Sequence, residues 1–408
     1  MVSVDEHLHR ILAQVRRPEP IELALLDAQG LLCAEEVIAE CALPGFDNSQ
    51  VDGYAVRSVD LVDASEAEPA EVPVVGDVAA GSTSPQGIAR GQCVRIMTGA
   101  PVPAGADAVV PVEWTDAGVA QVKVFRPIRV GTYVRRAGDD VEPGDVAVEV
   151  GTPIGPPQVG LLAAVGRERV LVRPRPRIVV LSVGSELVDI GQVPDLGQLI
   201  DINSYALSAA ARDAGADVYR VGVVPDDRRR IFDVLESQLL RADLIVTSGG
   251  VSGSAYDVVK EALAELGSVR FDRVAMQPGM PQGFGVLGRG KVPFFGLPGN
   301  PVSALVSFEI FVRPAIRSML GKRQPFRPAV QATLRGPIDS PAGKRQFRRG
   351  RLRRDTGGAY SVDAVGGAGS HLLAGMAQAN CLIVLDEATT EAREGEWVSV
   401  LPLLLAGS

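Results

Sequence analysis

The chain has 408 residues, 46% of them hydrophobic and 22% charged, and its 49 acidic against 41 basic side chains leave a formal charge of −8. That length predicts about two to four domains, the composition excludes intrinsic disorder, and the charge excludes a nucleic-acid binder working through net charge alone. The 45 Gly and 29 Pro follow no repeating period, so they point to tight turns and β-rich modules. Cys33, Cys41, Cys93 and Cys381 form no CxxC pair and only three His accompany them, which argues against a zinc site or a disulfide scaffold. Asp5, Glu6, His7 and Arg10 stand where a signal peptide would need an apolar core. No stretch approaches the roughly 18 apolar residues of a membrane span, so a cytoplasmic protein without membrane partners is expected.

Apolar residues at helical spacing predict helices within residues 3–17 (Leu8, Ile11, Leu12, Val15) and 20–40 (Leu23, Leu26). Between Phe46 and Asp140, the runs Val72–Val75, Cys93–Met97, Ala108–Val112 and Val119–Phe125 alternate with Gly, Pro and Asp, as in a small β insertion. Residues 145–172 return to mixed helix and strand, and Arg173–Arg177 reads as a stiff Pro-containing linker. From Ile178 onward strands alternate with helices: Ile178–Val183, Ser204–Ala214, Val218–Val224, Arg228–Leu240, Leu244–Thr247 and Val258–Leu266. This alternation predicts a doubly wound parallel sheet covered by helices on both faces. Phe294–Leu297 then leads through Gly299-Asn300-Pro301 into one long helix that ends before Gly321. The last ~80 residues read as a separate β domain. Within them, Lys344–Arg354 holds seven positive charges, read as the wet face of a strand in preference to a polyanion-binding patch.

Ligands of open α/β sheets sit beyond the C-terminal ends of the strands. Three Gly-rich loops are expected there: Ser182–Leu187, Thr247–Gly253 and Gly296–Pro301. Their backbone N–H groups can approach an anion, and two of them lead into helix N-termini, so a phosphate-bearing ligand is the natural reading. Glu186, Asp226, Asp227 and Asp257 mark the same rim. Carboxylates beside phosphate imply an intervening divalent cation, with Mg²⁺ the economical choice, or donors on the ligand. Asp227 would serve equally as a helix cap, and Asp257 as a first-turn acid. In the insertion, Asp52-Gly53 alone would pass for a hairpin turn, and Arg135–Asp140 for a solvated ion-pair cluster.

The segments Asp47–Ala55, Met97–Pro103 with Gly105–Ala108, Arg135–Asp140, Thr247–Ser252 and Gly296–Pro301 stand in an order and at spacings that resemble the molybdopterin molybdenumtransferase family, the MoeA proteins and the E domain of gephyrin. The resemblance covers nearly the whole chain. It implies a multidomain fold: a discontinuous elongated helical and β domain (1–45 with 141–173), an inserted β domain (46–140), a molybdopterin adenylyltransferase-like α/β domain (174–325) and a C-terminal β-barrel (326–408). It further implies insertion of molybdenum from molybdate into adenylylated molybdopterin, with release of AMP and a cation such as Mg²⁺ present. A homodimer with a shared active site is implied as well, with a molybdopterin adenylyltransferase and apo-molybdoenzymes as partners. By resemblance, Asp52, Thr98, Asp140, Glu186 and Asp257 are catalytic, and Glu186, Asp226, Asp227 and Asp257 hold the metal. Ser248, Gly249, Gly250, Ser252, Gln277, Pro298, Gly299, Asn300 and Pro301 bind substrate. Ser185, Ala255, Gln277 and Met280 depart from the common pattern, the first two replacing acids and the last two replacing lysines. The alternatives are a pterin adenylyltransferase or pyrophosphatase, against which the β insertion speaks, and a non-catalytic cofactor-binding scaffold.

Overall fold

The computed structural model describes residues 1–251 and 255–403. The chain divides into two compact units, residues 21–172 and residues 1–20 with 173–408. In the latter, helix α1 (Val4–Gln14) starts at Ser3, whose hydroxyl accepts from the Glu6 N–H, and buries Val4, His7 and Ile11 on one face.

Within residues 21–172 the helix expected over 20–40 does not form. Ile21–Ala24 is a strand paired antiparallel with Arg169–Arg173, and Leu32–Cys33 and Val37–Ile38 are two further short strands. The spacing of Leu23 and Leu26 imitates a helical turn. The chain instead reverses between them and Leu31 through Gly30, at φ 83°, and buries Leu31, Cys33 and Val37 against Val148, Ile154 and Leu162 of helix α2 (Pro156–Ala164) and its surroundings. The insertion forms a five-stranded sheet in the order Ala108–Pro111, Gly53–Val56, Cys93–Ile96, Ala70–Val78, Gln121–Val124. Alternate residues feed two cores: Tyr54, Val56 and Val110 on one face, Ala55, Val94 and Val109 on the other.

In the second unit a six-stranded sheet runs in the order Asp217–Val224, Arg177–Val183, Leu244–Ser248, Val292–Leu297, Pro281–Leu287, Gly267–Arg273. The first four strands are mutually parallel, as the alternation predicts, and the last two extend the sheet as antiparallel neighbours. Ile178, Val180, Leu244 and Val246 face one core, shared with α1 and helix α3 (Asn203–Asp213). Val179, Leu181 and Ile245 face the other, under helices α4 (Arg228–Gln238) and α5 (Ala255–Leu266). Burial on both faces explains why these strands read as unbroken apolar runs.

The long helix expected after Asn300 is interrupted. It comprises α6 (Pro301–Ser307), a π-helical turn over Phe308–Val312, and α7 (Arg313–Met319). Pro314 has no N–H to give to the Ile310 carbonyl, and its ring would crowd that carbonyl in α-register, so the wider turn accommodates it. In the C-terminal region, strands Arg345–Arg354, Tyr360–Ala364, Val330–Leu334, Trp397–Pro402 and Cys381–Leu385 pair in succession, and the last pairs again with the first, closing a five-stranded barrel. Short helix α8 (Leu373–Gln378) precedes Cys381–Leu385. The basic run over Lys344–Arg354 is not a uniformly wet face. Arg349 is 3% exposed, because its guanidinium donates to the carbonyls of Gly369 (3.1 Å), Leu372 (3.0 Å) and Gly367.

Candidate active site

The four parallel strands end at Val183, Val224, Ser248 and Leu297, and the loops beyond them are tied to one another. The Gly184 N–H donates to the Val224 carbonyl at 3.1 Å, and the Gly249 N–H to the Leu297 carbonyl at 3.0 Å. Gly249 and Gly250 both have positive φ, 90° and 69°. A Cβ on Gly249 would lie 2.2 Å from the Val183 carbonyl oxygen, and one on Gly250 would lie 2.4 Å from a Val259 methyl of α5. Packing against Val183 and Val259, with the positive φ, therefore admits only glycine at these two positions.

Ser248 Oγ donates to the Pro298 carbonyl at 3.2 Å. The Asn203 side chain, at the start of α3, donates to Ser248 Oγ (2.7 Å) and to the Gly299 carbonyl (2.6 Å). Asn203 was not among the residues expected at the site; its one signal in the sequence is its place immediately before the helix expected from Ser204. The Ser248–Gly250 and Pro298–Pro301 loops are thereby one structure. Asn300 and Pro301 occupy the N-cap and first-turn positions of α6, as their order predicts. Ser252 lies outside the described residues. Gln277, in a short strand paired with Arg345 and Gln346, lines a small pocket with Val302, Gln346, Arg348 and Arg349. The loop that Arg349 holds reaches α6 through the Ser370 carbonyl, which accepts from the Val302 N–H at 3.2 Å.

Of the four acids expected on the rim, two are close partners of one loop. Asp226 and Ser185 bond reciprocally: the Ser185 N–H donates to Asp226 Oδ2 (3.2 Å), and the Asp226 N–H to Ser185 Oγ (3.0 Å). The remaining Asp226 oxygen, Oδ1, is buried without a hydrogen-bond partner. Exposed Glu186 folds its carboxylate over Gly184, whose absent Cβ would stand 2.7 Å from it. Asp227 caps α4, its Oδ1 accepting from the Arg230 N–H at 2.8 Å. Asp257 lies exposed in the first turn of α5. No group of three or more His, Cys, Asp or Glu among the described residues is arranged to hold a metal ion.

In residues 21–172 the structure brings two of the expected catalytic residues, Asp52 and Thr98, into contact. Asp52 Oδ1 accepts from the Thr98 N–H (2.6 Å) and the Thr98 hydroxyl (2.8 Å), and these two bonds hold its carboxyl below the usual carboxylate range. Asp52 is placed by Gly53, where a Cβ would fall 1.9 Å from the Val110 carbonyl oxygen. Asp140 is exposed on the loop following Val134–Arg135, and its N–H bonds the Leu43 carbonyl at 3.0 Å. Both loops are pinned to the segment 47–49 that precedes Asp52: Gly99 through the Ser49 carbonyl, and Arg136 and Ala137 through the Asp47 carboxylate.

Residues 2–166 match the family model described as the MoeA N-terminal region, domains I and II. Residues 179–318 match a probable molybdopterin binding domain, and residues 331–403 the MoeA C-terminal region, domain IV. The chain is 52% identical to molybdopterin molybdenumtransferase 1 of Mycobacterium tuberculosis, over 98% of both chains. It is 34% identical to the molybdopterin molybdenumtransferase of Haemophilus influenzae, again over 98% of both. A crystal structure of a molybdopterin biosynthesis MoeA protein from a Pyrococcus species superposes with a TM-score of 0.84 at 31% identity, covering 99% of each chain. With three consecutive family models and whole-length relatives in agreement, this chain belongs to the MoeA family of molybdopterin molybdenumtransferases.

Proposed function

We propose that the protein is a transferase of molybdenum cofactor biosynthesis that takes adenylylated molybdopterin and molybdate, cleaves the pyrophosphate to release AMP, and places molybdenum on the dithiolene. The observation that carries this reading is the pair of loops Ser248–Gly250 and Pro298–Pro301. They are fused through Asn203 at the end of the parallel sheet, and at Gly249 and Gly250 a side chain is sterically barred. Backbone N–H groups bare of Cβ can draw close to a diphosphate. Gln277, beside Arg348, lies where an uncharged amide donor and a guanidinium group would meet an oxyanion from the barrel side.

Glu186 and Asp226, on the adjoining loops after Val183 and Val224, offer hard carboxylate oxygens, and the unpartnered Asp226 Oδ1 lacks a counter-charge, so these two, with Asp257 as a further acid, would suit a Mg²⁺ ion whose remaining ligands are substrate phosphates and water. Such an ion, when bound, would neutralise charge on the phosphoryl group being transferred. Asp227 spends one oxygen on the α4 cap, which leaves it at most one for the metal. Asp52, kept ionised by Thr98, supplies a fixed acceptor that can orient a water or hydroxyl; Asp140 is the further acid of that set. The protein acts as a cytoplasmic homodimer with a shared active site, fed by a molybdopterin adenylyltransferase and serving apo-molybdoenzymes. Among the described residues, no helix is long and apolar enough to cross a membrane.

The test is AMP release by the purified protein given adenylylated molybdopterin and molybdate. Asp52→Ala is expected to lower turnover by about 10²-fold or more with an unchanged circular dichroism spectrum. Tight binding by the unsubstituted protein without any AMP release would favour the scaffold reading.

A further inference from the structure

Between Glu186 and Asp201 the chain makes an excursion whose base is closed by two short parallel strands, Leu187–Val188 and Leu199–Ile200. The Glu186 carbonyl accepts from the Leu199 N–H, and the Val188 carbonyl from the Asp201 N–H, both at 2.8 Å. The backbone of Glu186 is therefore as fixed as this base is. Nothing in the base itself is strong: its four strand residues are half-buried or exposed, and the tip displays Ile190, Val193 and Leu196 to solvent. An isolated two-stranded element of this length has marginal stability.

What holds it is a polar lock centred on Arg220. Strand Asp217–Val224 bulges here: Val180 pairs with Arg220 and Leu181 with Gly222, so Val221 is skipped. Gly222, at φ 95°, completes the bulge, and a Cβ there would approach the Arg220 guanidinium to 3.3 Å. A bulge of this kind re-aims a side chain, and Arg220 is aimed at both legs of the excursion. Its Nη2 donates to Asp189 Oδ2 at 2.9 Å, and its Nη1 to Ser204 Oγ at 3.1 Å. Nη1 also lies 3.8 Å from Asp201 Oδ2. The guanidinium stacks over the Tyr205 ring, 4.0 Å from its centroid, while the Tyr205 hydroxyl donates to the other Asp189 oxygen at 2.8 Å. Asp201, 1% exposed, ties the second leg to the sheet by accepting from Ser182 Oγ at 2.7 Å.

From this geometry we infer that Arg220 is a positioning residue: with Tyr205 it fixes Asp189 and Asp201, and through them the loop that presents Glu186 to the substrate. The lock does not touch the reacting atoms. It rests on the proposed transferase reading for the role of Glu186, though its mechanical half does not depend on that reading. Misplacing a catalytic carboxylate by about 1 Å costs on the order of 10²-fold in rate.

The test compares Arg220→Met, Arg220→Lys and Tyr205→Phe in the full-length protein by two readouts. In amide hydrogen exchange, Arg220→Met is expected to speed exchange at Leu199 and Asp201 by about tenfold or more and to leave Val179 and Val246 of the central strands unchanged. In AMP release, it is expected to lower kcat by about 10- to 100-fold with KM within about twofold. Arg220→Lys should recover part of kcat, since an ammonium reaches Asp189 but not both legs. Tyr205→Phe should give a smaller, several-fold loss. Wild-type exchange at Leu199 and Asp201 in Arg220→Met would overturn the lock. Faster exchange with an unchanged kcat would overturn its positioning role. Unsubstituted protein that releases no AMP would instead sink the transferase reading, and the exchange comparison would still decide whether the lock exists.

Discussion

Asp52 and His7 are opposite solutions for an ionisable side chain. Asp52 stays in water with two donors from Thr98 that favour its charged form, so its ionisation persists well into acid. His7 is 1% exposed, edge-on to Phe311 (4.9 Å between ring centres) and Phe284 (6.3 Å), with Nδ1 unpartnered; burial pushes its imidazole down to about 4 from an ordinary 6.5. In the unfolded chain His7 takes up its proton near pH 6.5, whereas the folded chain refuses it until about pH 4. Unfolding therefore binds a proton within that window. Stability is full above pH 6.5 and falls as the pH drops towards 4, by up to roughly 3 kcal/mol from this group. A His7→Phe variant is expected to show a shallower decline of Tm between pH 7 and pH 4.5 than the unsubstituted protein; parallel declines would mean that His7 is protonated without penalty.

At the scale of elements, steric fit at the loop after Leu244–Ser248 separates two kinds of glycine. Gly249→Ala would press a methyl group against the Val183 backbone, whereas Gly151→Ala, also at positive φ (84°), would meet nothing within 4 Å. Both incur the left-handed penalty of about 1 kcal/mol. Gly249→Ala should lower Tm further and weaken binding of adenylylated molybdopterin at least about tenfold, while Gly151→Ala leaves binding unchanged. Equal effects of the two substitutions on calorimetric Tm and titrated affinity would show that the loop has slack. The same loop shows what the sequence could disclose. Runs such as Ile178–Val183 and Leu244–Ser248 are legible because burial on both faces demands unbroken β-branched and aliphatic residues, and the Gly-rich ends are legible because the bends require them. The strand at Ile21–Ala24 was hidden, since Leu23 and Leu26 happen to stand one helical turn apart. Arg349 was hidden as well, because three carbonyls supplied from the Gly367–Leu372 loop cancel the usual rule that such charges face water. Pairings such as Asp52 with Thr98 and Asn203 with Gly299 span long stretches of sequence, and no local pattern reports them.

For the whole molecule, the family relation extends from residue 2 to residue 403, so the architecture is shared along the chain and not in the molybdopterin-binding domain alone. The expected assembly is two copies. Light scattering at micromolar concentration should return twice the 42.9 kDa chain mass, and a mass of one chain accompanied by full AMP release would refute a shared site. The closed ring of strands over Val330–Pro402 carries a consequence of its own. An open sheet has outermost strands whose bare N–H and C=O groups can recruit a neighbouring polypeptide, whereas a ring has neither a first nor a last member. This strand-rich region is accordingly shielded from edge-on aggregation.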